Sequence, residues 1–179
     1  MHARIPLLLA LVLAATAFGD EPKAGKLRVS GNGTFAIRMV ETGKEACRVE
    51  ATKDNEPLWQ LDKCVGDEDD YYFVSNDGTR FWLLRATPEK PGAPKGKKKG
   101  LPWYQVEVAT LYDAQGNSIQ SKRLMDLIPK ADQAKVRQLG KHFVWLEGVD
   151  EVPGRKPRIN DVGQVEFEVA GSKTQKLNF

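Results

Sequence analysis

Reactive side chains are few in this chain and unevenly placed. Cys47 and Cys64 are the only cysteines. Glu50 to Asp62 reads as two strands joined by a turn at Lys53-Asp54-Asn55-Glu56, and folding that hairpin about its turn brings position 47 near 62–64. The chemistry offered is a structural disulfide, worth ~3 kcal/mol if it acts by removing loop-closure entropy from the unfolded chain. The rival readings are two buried thiols or a metal-binding pair. An N-terminus built for export disfavours the first, and no histidine accompanies the cysteines to complete the second.

Asp67, Glu68, Asp69 and Asp70 follow Gly66. Their oxygens suit a hard cation such as calcium, but the run lacks the ligand spacing and turn glycines of an EF-hand loop. It reads as a solvated turn, and no metal is expected. Residues 88–100 hold Lys90, Lys95, Lys97, Lys98 and Lys99 against Glu89, a local charge of +4 in a chain of net charge +3. A phosphate-binding loop is excluded here. Only three residues separate Gly92 from Gly96, no Ser or Thr follows Lys97 or Lys98, and Pro94 removes a backbone donor. The composition allows a solubilising loop or a contact for polyanions such as lipid headgroups or cell-wall polymer. With no aromatic residue inside the loop, there is no strong nucleic-acid signal. His142 stands beside Phe143 at a strand start and reads as structural. No zinc signature or Gly-x-Ser-x-Gly elbow is present, so no catalytic residue and no cofactor is assigned. A carboxylate pair for glycoside hydrolysis is not identifiable among the acidic residues.

Before the first strand, Met1 to Gly19 reads as a secretory signal peptide. Arg4 precedes the apolar run Leu7 to Ala15, and Ala15-Thr16-Ala17 supplies the small residues of a cleavage site. That run is too short to cross a hydrocarbon core, which needs ~20 residues. The mature chain, 20–179, is long enough for one β-rich domain and too short for two ordinary ones. The expected location is secreted or periplasmic.

Within that domain, apolar residues alternate in Phe35-Ile37-Met39, in Cys47-Val49-Ala51 and in Val165-Phe167-Val169, the period of strands with one wet face. Trp59 and Leu61 continue the first sheet. Thr79 to Ala86, Trp103 to Tyr112 and Ser118 to Ser121 give three further strands, with Asp113-Ala114-Gln115-Gly116-Asn117 as a hairpin connection. Phe143 to Leu146 and Thr174 to Phe179 read as strands. Lys122 to Gly140 reads as the one helical region, starting near Pro129, leaving at Gly140 and lying on the surface because its apolar face is weak. Trp59, Trp82, Trp103 and Trp145 fall in predicted strands and are expected in the core; two of them exposed on one face would instead offer a stacking platform.

Three turns recur. Val29-Ser30-Gly31-Asn32-Gly33-Thr34-Phe35 and Val74-Ser75-Asn76-Asp77-Gly78-Thr79-Arg80 share a layout, and Ile159-Asn160-Asp161-Val162-Gly163 is a looser copy. Their glycines fall at 33, 78 and 163, intervals of 45 and 85 residues, which suits a repeat of roughly 40–45 residues with insertions. Ser30-Gly31-Asn32-Gly33 and Ser75-Asn76-Asp77-Gly78, together with Ala109-Thr110-Leu111-Tyr112-Asp113-Ala114-Gln115-Gly116, resemble the Ser-x-Asp-Gly blade repeats of β-propellers of the TolB-associated type, with Asn32 in place of the aspartate in the first and only Asp161 and Gly163 kept in the third. The resemblance implies binding or scaffolding more often than catalysis. Three units are fewer than the four blades a closed propeller needs. The expectation is therefore an all-β antiparallel meander of blade-like repeats, as a partial propeller, a sandwich or an open barrel, with one short surface helix. Functionally, the reading is an exported non-catalytic module of the cell envelope that binds or scaffolds a protein or polymer. The alternatives are a secreted hydrolase using carboxylates and a polyanion binder acting through the 88–100 lysine loop.

Overall fold

The computed structural model describes residues 23–43, 46–92, 102–171 and 173–179. The N-terminal segment read as a signal peptide lies outside them, as do Lys95, Lys97, Lys98 and Lys99.

Tyr71-Tyr72-Phe73-Val74 and Phe81-Trp82-Leu83-Leu84 hold no charged residue and no alternation, and all eight side chains are buried. The reason is that their sheet is covered on both faces. Strands β6 (Tyr71–Val74), β7 (Arg80–Leu84), β8 (Glu107–Asp113) and β9 (Ser118–Arg123) form an antiparallel sheet in chain order. Register pairs Tyr72 with Leu83 and Val74 with Phe81 on one face, and Tyr71 with Leu84 and Phe73 with Trp82 on the other. The first face packs on Phe35, Ile37, Met39 and Val49. The second packs on Phe143, Trp145, Val165, Phe167 and Val169. Each fully buried side chain of this size contributes roughly 1.5–3 kcal/mol.

The residues on those covering layers alternate, as a sheet with one wet face must. The first layer holds β1 (Lys23–Ala24), β2 (Arg28–Val29), β3 (Phe35–Gly43), β4 (Ala46–Lys53) and β5 (Glu56–Leu61), with β1 and β2 pairing with different parts of β3. Its β4–β5 turn falls where expected, with Asp54 and Asn55 at φ 50° and 71°, the two left-handed residues of a type I′ hairpin. The third layer holds β12 (Arg158–Ile159), β13 (Val165–Val169) and β14 (Lys173–Leu177). The outward faces of the two covering layers carry matching charge rows. Glu50 lies between Arg38 (2.8 Å) and Arg48 (2.6 Å), and Glu166 between Arg158 (2.6 Å) and Lys176 (3.6 Å). Burial works to raise the Glu50 carboxyl, but the hydrogen bonds from Arg38 and Arg48 outweigh it and hold the group low. The architecture is thus an all-β antiparallel meander in three stacked layers. Among the described residues no barrel closes.

Three indoles tie these layers together through Nε1. Trp59 donates to Gly78 O (2.7 Å), Trp82 to Asn178 O (2.9 Å) and Trp145 to Arg85 O (2.7 Å). Trp82 and Trp145 are fully buried, and Trp59 and Trp103 are partly buried against the two cores.

The helical expectation for Lys122–Gly140 is corrected. One turn of α-helix, α1 (Leu124–Leu127), is followed by a 3-10 segment, Lys130–Lys135, and then by β10 (Arg137–Leu139), which pairs with β11 (His142–Val144). Pro129 explains the break, since it lacks a donor and pushes Ile128 out of the helical region, where its ψ is 117°. Gly140 is the first residue of a two-residue hairpin loop, not a helix exit. The region lies on the surface, with Met125, Asp126, Lys130 and Ala134 exposed, and is anchored by Leu124, Leu127, Ile128 and Val136, which are buried in the core. Two strand boundaries also move. Tyr71–Val74 opens the second sheet, and Trp103–Gln105 is a 3-10 turn ahead of a strand that starts at Glu107.

Candidate binding site

The recurring turns are built alike because one polar side chain replaces backbone partners inside each. In the first, Ser30 Oγ donates to Asn32 Oδ1 (2.7 Å), Thr34 N–H donates to the same oxygen (3.2 Å), and Phe35 N–H donates to Ser30 Oγ (3.0 Å). In the second, Ser75 Oγ donates to Asp77 Oδ1 (2.5 Å), joined there by Thr79 N–H (3.0 Å), and Arg80 N–H donates to Ser75 Oγ (3.1 Å). The Ser75 hydroxyl and the Thr79 amide hold the Asp77 carboxyl down to about 2.

The third turn is one residue shorter. Asn160 Oδ1 itself accepts from Val162 N–H (3.2 Å) and Gln164 N–H (2.9 Å), with no serine between. Its closest counterpart is the Asp113 turn, where Oδ1 accepts from Gln115 N–H (3.0 Å) and Asn117 N–H (2.8 Å). The glycine at the fourth position is common to all four, which is why the sequence showed three of them as copies.

The three turns meet. Asn32 N–H donates to Asn76 Oδ1 (3.0 Å), and Asn32 Nδ2 donates to Asn76 O (2.9 Å). A Cβ at position 31 would stand 3.1 Å from both Gly163 Cα and Ile159 Cγ2, and one at 163 would stand 2.7 Å from Asn76 Nδ2. Glycine is what lets the backbones of the first and third layers touch here. Beside the junction, Asn76, Asp77 and Arg80 face Val162, Gln164 and Asn178 across an open cleft of about 430 Å³. Arg80 is only loosely paired with Asp77 (3.9 Å), while Gln164 Nε2 donates to Asn178 Oδ1 (2.7 Å). A second cleft of about 360 Å³ adjoins it, walled by Arg158, Glu166 and Lys176. Val162 lines both and is 77 % exposed, the most exposed large apolar residue described. The arrangement offers amide donors and acceptors, one loosely held guanidinium and an apolar lip. That set fits recognition of a polar chain.

Elsewhere, Cys47 and Cys64 form the expected disulfide. Lys90 is engaged, its Nζ donating to Gly140 O (2.8 Å) and its N–H to Lys141 O (2.7 Å), so the near end of the lysine stretch is strapped to the β10–β11 turn. His142 sits at the start of β11 with Nδ1 against Thr87 O (3.2 Å). In the acidic run, Asp70 turns inward and accepts from Asp67 N–H (3.0 Å) and Ala86 N–H (2.9 Å). Burial pushes its carboxyl up against the pull of those two donors. Among the described residues no group of three or more His, Cys, Asp or Glu side chains is placed to hold a metal ion. No described helix is long and apolar enough to cross a membrane.

Sequence reasoning found the turns and missed their meeting, because nothing local specifies it. The signal lay in Gly31 and Gly163, whose missing side chains permit it. Compared with known proteins, the chain matches no family model, no curated protein and no solved structure.

Proposed function

We propose that this chain is an exported, non-catalytic binding module of the cell envelope, and that it recognises its partner with the face where the three turns meet. The observation that carries the reading is the junction of Asn32, Asn76 and Gly163 beside a cleft rimmed by Arg80 and Val162. Each layer contributes a turn to it, so the surface is preorganised by the whole fold, and ordering costs on binding are small. The apolar N-terminal run and the disulfide support a secreted or periplasmic setting. The repeats act as blade-like units, supported by three turns of related geometry that each join two antiparallel strands.

The test is capture of partners from the host's envelope extract at low and moderate salt. It uses the mature protein, a double variant Arg80→Ala/Val162→Asp, and a version lacking residues 88–100. A partner held by the parent and lost by the double variant is expected. One lost only with the 88–100 deletion, and released by salt, would replace the cleft with the polyanion reading. Turnover of an envelope substrate by the purified protein would replace both with the hydrolase reading.

A further inference from the structure

The chain leaves the first layer at Leu61 and reaches the second at Tyr71 by a crossover that the Cys47–Cys64 disulfide staples to β4. Cys64 is exposed and Cys47 is half-buried. Both line an open depression of about 270 Å³, whose described charged residues are Glu41 and Asp67. Glu41 lies directly across from Cys47 in the β3–β4 register. Exposed disulfides are the ones open to thiol attack, and the attacking species is the thiolate.

We propose that this disulfide is a reversible thiol-exchange site, attacked at Cys64 and selective for cationic low-molecular-weight thiols over anionic ones. In the exchange, the thiolate sulfur bonds to Cys64 Sγ as the Cys47–Cys64 bond breaks. The electron pair leaves on Cys47 Sγ, which takes a proton from water. One disulfide is consumed and one is formed, so no outside oxidant or reductant is needed. Glu41 and Asp67 set the selectivity, because a thiol carrying an ammonium is drawn into an acidic depression and one carrying a sulfonate is repelled. The fold tolerates the opening. The crossover has anchors besides the disulfide: Val65 is buried in the core, and Asp70 accepts from Asp67 N–H and Ala86 N–H.

The experiment treats the oxidised mature protein with cysteamine or with 2-mercaptoethanesulfonate at equal thiolate concentration, beside hydroxyethyl disulfide as an uncharged reference. A maleimide quench labels the thiol released, and peptide mass mapping assigns it. The expected product carries cysteamine on Cys64 and maleimide on Cys47. Relative to the reference, cysteamine should react roughly three- to tenfold faster than the sulfonate at low salt, the gap closing at high salt and in Glu41→Gln. Attachment at Cys47, equal normalised rates for the two thiols, or no adduct while the reference exchanges would each overturn the proposal.

Discussion

Asn32 and Asp77 hold equivalent places in two turns, and the difference between them is functional within the fold. Both accept from a serine hydroxyl and a threonine amide. Only Asn32 also donates, through Nδ2 to Asn76 O. A carboxylate there would point an oxygen at a carbonyl, losing one hydrogen bond and adding repulsion. Asn32→Asp should therefore cost about 1–3 kcal/mol near neutral pH, with part of the loss recovered in acid as the new carboxyl protonates and can donate. The reciprocal Asp77→Asn tests the other turn. Its carboxyl is lowered from 3.8 to about 2 in the folded state, so its stabilisation is present above the unfolded value and fades as pH falls through the folded one. The variant should flatten the stability profile between those values. Urea denaturation of the three proteins across the acid range reads both effects. From the sequence, Asn32 looked like an imperfect copy; its purpose depends on a residue 44 positions away.

At the scale of elements, the turns were legible and the helix was not. Gly33 and Gly78 stand at φ 78° and 72°, and a serine, an Asx and a glycine in order are enough to specify that geometry locally. Their surroundings differ. A Cβ at position 33 meets nothing within 4 Å, whereas one at position 78 would lie 2.5 Å from Phe35 Cδ1. Gly33→Ala should cost about 1 kcal/mol, the backbone term alone, and Gly78→Ala two- to threefold more. Thermal melts of the two variants provide the comparison. The 122–140 stretch misled because its helix-compatible residues carry no long apolar stripe. Leu124, Leu127 and Ile128 do follow helical spacing, but Pro129 ends the pattern after one turn, and the buried Val136 belongs to what comes next. Tertiary packing decides such short, weakly patterned segments.

For the molecule as a whole, the second sheet explains both what the sequence disclosed and what it concealed. Alternation marked Phe35–Met39 and Val165–Val169 as strands with one wet face, and they proved to be the outer layers. The runs at 71–74 and 81–84 are unbroken and apolar because both faces of their sheet are covered, and which layer covers which face depends on contacts far apart in the chain. Because one sheet contributes to both cores, the cores should not melt separately. In each of two single-tryptophan versions, one keeping Trp59 in the first core and one keeping Trp145 in the second, the fluorescence midpoint is expected to coincide with the far-UV dichroism midpoint of that same protein. A fluorescence midpoint displaced from the dichroism midpoint of the same protein would show that the layers unfold independently.

That shared sheet also carries a consequence for how the protein is made. Synthesis runs from the first layer to the third, so one apolar face of the middle sheet finds its cover already built. The other, with Tyr71, Phe73, Trp82 and Leu84, is covered in steps, first by Phe143 and Trp145 and last by Val165, Phe167 and Val169. A chain in this state depends on whatever shields it, and a product stopped short of β13 would present a ready surface for aggregation rather than a smaller working domain.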